Sequence, residues 1–79
     1  MVHTVKRYRN LSGDSGVVAY ETGNDSIIVE FVDGGLYRYT YASAGRSNIE
    51  HMKALASSGR GLATFINQHV RDDFAAKLR

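Results

Sequence analysis

Tyr37-Arg38-Tyr39-Thr40-Tyr41, directly after Asp33-Gly34-Gly35, decides the fold. In an extended strand alternate side chains share a face, so Tyr37, Tyr39 and Tyr41 stand together while Arg38 and Thr40 stand opposite. The glycine pair ahead of the strand supplies a turn, and Ser26 to Val32 ahead of that turn is another β-branched and aromatic run. Within it Ile27, Val29 and Phe31 are all apolar, whereas Ile28, Glu30 and Val32 include a charge, so the first set is assigned to the core. A three-residue Asp33-Gly34-Gly35 loop sets Phe31 opposite Tyr37 and Val29 opposite Tyr39, joining the apolar set to the tyrosines.

Upstream, Gly16 to Glu21 forms a first hairpin with the Ser26 run across Thr22-Gly23-Asn24-Asp25. With Gly23 and Asn24 at its tip, Tyr20 faces Ile27 and Val18 faces Val29. The first dozen residues, with Val5, Tyr8 and Leu11, are read as an extended edge segment. Downstream, Ser47-Asn48-Ile49-Glu50 has the form of a capping box and starts a helix with the stripe Ile49, Met52, Leu55 and Ala56, closed by Gly59. Leu62, Phe65, Ile66, Val70, Phe74 and Leu78 recur at spacings of three and four and predict a second helix reaching the end of the sequence, with Lys77 and Arg79 at the negative end of its dipole. The expected fold is α+β: an antiparallel β-meander of about three strands with two C-terminal helices packed on one face, in a single domain over 1–79.

At 79 residues and with no cysteine, the sequence excludes disulfides and thiolate-held zinc or iron–sulfur centres, so stability rests on packing. No run approaches the ~18 apolar residues of a membrane span, and a cytoplasmic, membrane-free protein is expected. Gly13-Asp14-Ser15-Gly16 resembles the nucleophile segment of chymotrypsin-like proteases, but a triad needs partners and two barrels that a chain of this size lacks; a turn accounts for it. His3, His51 and His69 show no metal-ligand spacing, and no metal or cofactor is expected. Adjacent Asp72 and Asp73 diverge by about 100° on a helix, which spoils them as a catalytic dyad.

Net charge of +2 with a basic N-terminal arm is compatible with phosphate recognition. Arg60, between Gly59 and Gly61, sits where free amides at a helix start meet anions. Arg38, Arg46 and Arg71, with Lys6, Arg7 and Arg9, supply further cations. Tyr37 and Tyr39 are assigned to the core, leaving Tyr41 at the strand end as the exposed ring for stacking a base.

Tyr37-Arg38-Tyr39 after a glycine turn, Met52 to Ala56, Ser58-Gly59-Arg60-Gly61, and Phe65-Ile66-Asn67 with Val70-Arg71 together resemble the KTSC domain, over roughly residues 16–74. That domain occurs at the C-terminus of some lysyl-tRNA synthetases and as small standalone bacterial proteins. Tyr37, Tyr39, Gly59, Phe65 and Asn67 fall on its motif, while the family's proline before the first helix is replaced by Ala42-Ser43-Ala44-Gly45-Arg46. The resemblance implies a small α+β domain of unestablished function, with RNA as the partner suggested by the synthetase association and with no catalytic residues. The expected role is therefore a non-enzymatic accessory module binding RNA or another nucleic acid. The alternative is a protein-interaction module, homodimeric among its forms, with no nucleic-acid binding.

Overall fold

A computed structural model describes residues 6–11, 13 and 15–79; His3, Val5 and Asp14 lie outside the described residues. One antiparallel sheet runs in the order β1 (Lys6–Arg7), β2 (Val17–Thr22), β3 (Ser26–Phe31), β4 (Leu36–Thr40) and β5 (Ala76–Lys77). The fold is α+β as expected, but the meander of three strands is extended by a short strand at each edge. β1 is the anticipated extended edge, pairing Lys6 with Tyr20 and Arg7 with Ala19.

Both hairpins differ from expectation by two residues in register, and for the same reason: a loop one residue away from the expected one. In the first, Asn24 and Asp25 form the tip, because the Gly23 N–H donates to the Ser26 carbonyl at 2.8 Å, setting Thr22 against Ile27 and Tyr20 against Val29. A Cβ at Gly23 would stand 2.6 Å from the Ser26 hydroxyl oxygen, so a larger residue beside the tip would force that side chain to move. In the second, the three-residue loop is Val32-Asp33-Gly34. Gly34 takes φ 93°, Phe31 donates its N–H to Gly35 O at 2.8 Å, and the Asp33 carboxylate accepts the Gly35 N–H at 2.9 Å. Val29 therefore faces Tyr37, and Ile27 faces Tyr39.

A shift of two leaves the side chains of β3 and β4 on their assigned faces; in β2 the expectation that Val18 faces Val29 fails, because a bulge intervenes. Ile27, Val29 and Tyr39 are buried under the helices, and Tyr37 is half-buried. Val17 and Ala19 straddle a bulge that leaves Val18 exposed while Val17 is fully buried.

β4 passes directly into α1 (Tyr41–Ala44), so Tyr41 opens a helix rather than ending a strand. Thr40 Oγ1 accepts the Ser43 N–H at 3.1 Å and Ser43 Oγ accepts the Thr40 N–H at 3.0 Å, which places the capping box here and not at Ser47–Glu50. Gly45 then starts α2 (Arg46–Ser58) without a side-chain cap. With that earlier start Ser47 falls inside the first turn, and Glu50 is drawn instead to the Tyr41 hydroxyl and Lys53. The α2 stripe buries Ile49, Met52 and Ala56 as expected.

The second long helix stops early. α3 (Leu62–Phe65) continues into a single π-helical turn over Ile66–Val70, and the chain then turns back to form β5. Ala75 donates its N–H to Arg38 O at 2.7 Å and Leu78 donates to Leu36 O at 2.6 Å. The open edge of β4 thus satisfies backbone groups that a continued helix would have left on the sheet without partners. Phe74 packs half-buried against Tyr37, Leu78 is exposed, and Arg79 pairs with Glu30 at 2.9 Å instead of serving a helix terminus.

Gly59 closes α2 with φ 83°, and a Cβ at this position would lie 2.9 Å from Arg9 Cβ. Gly59→Ala is expected to destabilise the fold by about 1–3 kcal/mol through left-handed backbone strain and this clash. Urea unfolding should show a lower midpoint at unchanged slope; an unaltered midpoint would contradict the packing described.

Candidate nucleic-acid interface

The N-terminal arm is fastened to the helices by Tyr8. Its ring is buried, and its hydroxyl accepts the Leu62 N–H at 3.3 Å, while its own N–H donates to Val18 O at 2.9 Å. One residue on, the Arg9 guanidinium donates to the Ser57 carbonyl near the C-terminal end of α2, where helix carbonyls lack intrahelical partners. Leu11 N–H donates to Gly59 O at 2.7 Å. These contacts bring Arg9 beside Arg60 at the α2–α3 turn, both exposed; Lys6 and Arg7, exposed on the adjoining β1, pair with Tyr20 and Ala19 and so point to opposite faces of the sheet.

At this turn the Gly59 N–H donates to Leu55 O at 3.0 Å and the Leu62 amide is engaged by the Tyr8 hydroxyl, so two of the backbone donors around Arg60 are already bonded.

The remaining arginines lie elsewhere. Arg38 projects from the sheet face opposite the helices, in a cross-strand row with Glu21, Ile28 and Ala76. Arg46 sits at the start of α2, about 20 Å along the helix from its far end at the 1.5 Å rise per residue. Its guanidinium stands 5.8 Å from the Tyr41 ring centroid, as does Lys53 Nζ. The Tyr41 hydroxyl donates to Glu50 Oε2 at 2.6 Å. That bond raises the Tyr41 pKa and, together with Lys53, lowers that of Glu50. Lys53 in turn donates to Asn24 O at 3.0 Å, so Tyr41 belongs to a latch between α2 and the first hairpin rather than being a free stacking ring.

Tyr37, Tyr39, Asn67 and Arg71 line one cleft between the second hairpin and the π turn, with Asp33, Asp72 and Phe74. Its aromatic floor is filled by the protein's own rings: Phe74 lies 4.9 Å from Tyr37 and 6.3 Å from Tyr39, and Phe31 meets Tyr37 edge-on at 5.7 Å. The Tyr39 hydroxyl donates to Arg71 O at 3.3 Å. Burial first, then the neighbouring Tyr37, Asp72 and Asp73, push its pKa up to about 12. Of the other motif positions, Gly59 caps α2 and Phe65 makes ring contacts with two histidines. His51 from α2 and His69 from the π turn stand 4.5 Å and 4.6 Å from the Phe65 centroid. The sequence reading left both imidazoles without a role; the Phe65–His69 spacing of four was the available signal for half of this stack.

Among the described residues no group of three or more His, Asp or Glu side chains is placed to hold a metal, and no helix is long and apolar enough to cross a membrane. No protein-family model, curated protein or solved structure matches the chain.

Because the folded Tyr39 pKa lies above the ordinary value near 10, its contribution to stability is intact below pH 10 and is lost as pH rises towards about 12. Tyr39→Phe is expected to cost about 1 kcal/mol at neutral pH through the lost bond to Arg71 O, and to remove this alkaline component. Urea midpoints measured for both proteins between pH 9 and 12 should converge with rising pH; a constant gap would contradict the assignment.

Proposed function

We propose that the chain is a non-enzymatic accessory module of KTSC-like type that binds RNA through the basic corner at the α2–α3 turn, where Arg9 and Arg60 meet, with Lys6 and Arg7 of the adjoining strand as further cations. The juxtaposition of Arg9 and Arg60, held by the Tyr8 and Arg9 contacts, carries this reading. Pre-positioning matters because each long side chain otherwise loses rotamer freedom on binding. Arg38, Arg46 and Arg71 are assigned no shared surface with the corner. A cytoplasmic location fits this role.

Four phosphate contacts give a salt slope of about −3 for a single strand, equivalent to roughly fifty-fold weaker binding between 50 and 200 mM salt. Arg60→Ala is expected to weaken binding and to flatten that slope by about 0.7, read by fluorescence anisotropy of labelled RNA titrated with protein. Absence of binding at tens of micromolar in low salt would overturn the proposal.

The alternative, a protein-interaction module with a homodimer among its forms, draws on one observation: Val18, Val32 and Leu78 are exposed at 37, 74 and 42%. Val32 and Leu78 continue the alternation of the sheet face that the helices leave uncovered. This reading predicts binding insensitive to salt and to Arg60→Ala.

A further inference from the structure

The two helical segments that meet at the basic corner carry a second feature, continuous with it. His51, Leu55 and Gly59 are spaced four apart along α2, and Gly61, Phe65 and His69 are spaced four apart along α3 and the π turn, so each series forms one ladder running from the corner. The Phe65 N–H donates to Gly61 O at 3.0 Å, which sets Phe65 one turn from the Gly59-Arg60-Gly61 bend. Phe65 is 9% exposed, whereas His51 and His69, tilted against it by 43° and 34°, are both exposed. A buried ring thus makes contact with two imidazoles that reach the surface.

Arg60, exposed, lies five residues before Phe65, just ahead of the helical segment that carries it. A planar ring backed by a second ring, with positive charge one turn away, matches the chemistry of an unpaired nucleotide: a π-face to stack and a phosphate to neutralise. A duplex offers the phosphates but keeps its base faces stacked internally. Exposed Gln68, on the same turn, adds an amide donor and acceptor of the kind that engages a ribose 2′-hydroxyl.

Building on the RNA-binding reading, we propose that the cluster of His51 and His69 on Phe65 is a base-stacking platform and that the partner is single-stranded RNA. Phosphates are held by Arg60 and the N-terminal arm, and unpaired bases stack on the imidazoles.

The test uses the full chain and anisotropy with three labelled probes: an unstructured RNA 12-mer, the same RNA as a duplex, and the DNA 12-mer of equal sequence. The single-stranded RNA is expected to bind about ten-fold more tightly than the duplex, the size of one stacked base. His69→Ala should bring its affinity to the duplex level without changing duplex binding, and His69→Phe, which restores a ring, should return it. His51→Ala provides an independent second variant, and thermal melts confirm that each is folded. Equal affinity for single strand and duplex, unmoved by His69→Ala, would overturn the platform while leaving the basic corner standing. Equal affinity for the DNA 12-mer would overturn the choice of RNA. No binding of any probe would overturn the corner as well.

Discussion

The hydroxyl of Tyr8, accepting the Leu62 N–H inside the protein, is the contact on which the arrangement of this chain depends. It joins residues 54 positions apart and supplies a partner to an amide at the start of α3 that the helix itself cannot satisfy. A buried donor left without a partner costs about 1–3 kcal/mol, and the ring adds a further ~1.5–3 kcal/mol of burial. Against the few kcal/mol that keep a domain of this size folded, that is a large share. The same contact fixes where β1 and Arg9 lie against α2, so the stability of the core and the geometry of the basic corner have one origin.

The far side of the molecule is organised by a comparable exchange of backbone partners. β4 leaves the sheet straight into α1 and would present an open edge, and the chain returns after the π turn to cover it through Ala75 to Leu78. Phe74 is thereby carried onto Tyr37 and Tyr39, which completes the aromatic cluster above the sheet. The helices are thus enclosed between two strands that pair with each other. The face opposite them keeps a mixed surface in which Glu21, Glu30 and Arg38 surround Ile28. Both signs of charge on that face leave it ill suited to a phosphate backbone.

How much of this was legible in the sequence follows from the range of each interaction. The core face of the sheet was readable because strand periodicity is two and both register errors were even; Ile27, Val29 and Tyr39 are buried whichever glycine forms the loop. The helix expected to reach Leu78 was not, because Phe74 and Leu78 satisfy a helical stripe locally while the competing claim comes from the edge of β4, some forty residues earlier. The cap at Thr40–Ser43 was hidden by a more conventional pattern at Ser47–Glu50. The site was the least legible part. Arg9 and Arg60 were identified as separate cations, and only the contact of Arg9 with Ser57 and Gly59 makes them neighbours. His51 and His69 gain meaning through Phe65, against which only the folded chain brings them both.

Chemical-shift mapping by amide and aromatic NMR during titration with single-stranded RNA tests the central claim most directly. The account predicts the largest changes at Lys6 to Arg9 and Gly59 to Gly61, extending to the rings of His51 and His69. Changes confined to Ile28, Arg38 and their neighbours on the uncovered sheet face would contradict it.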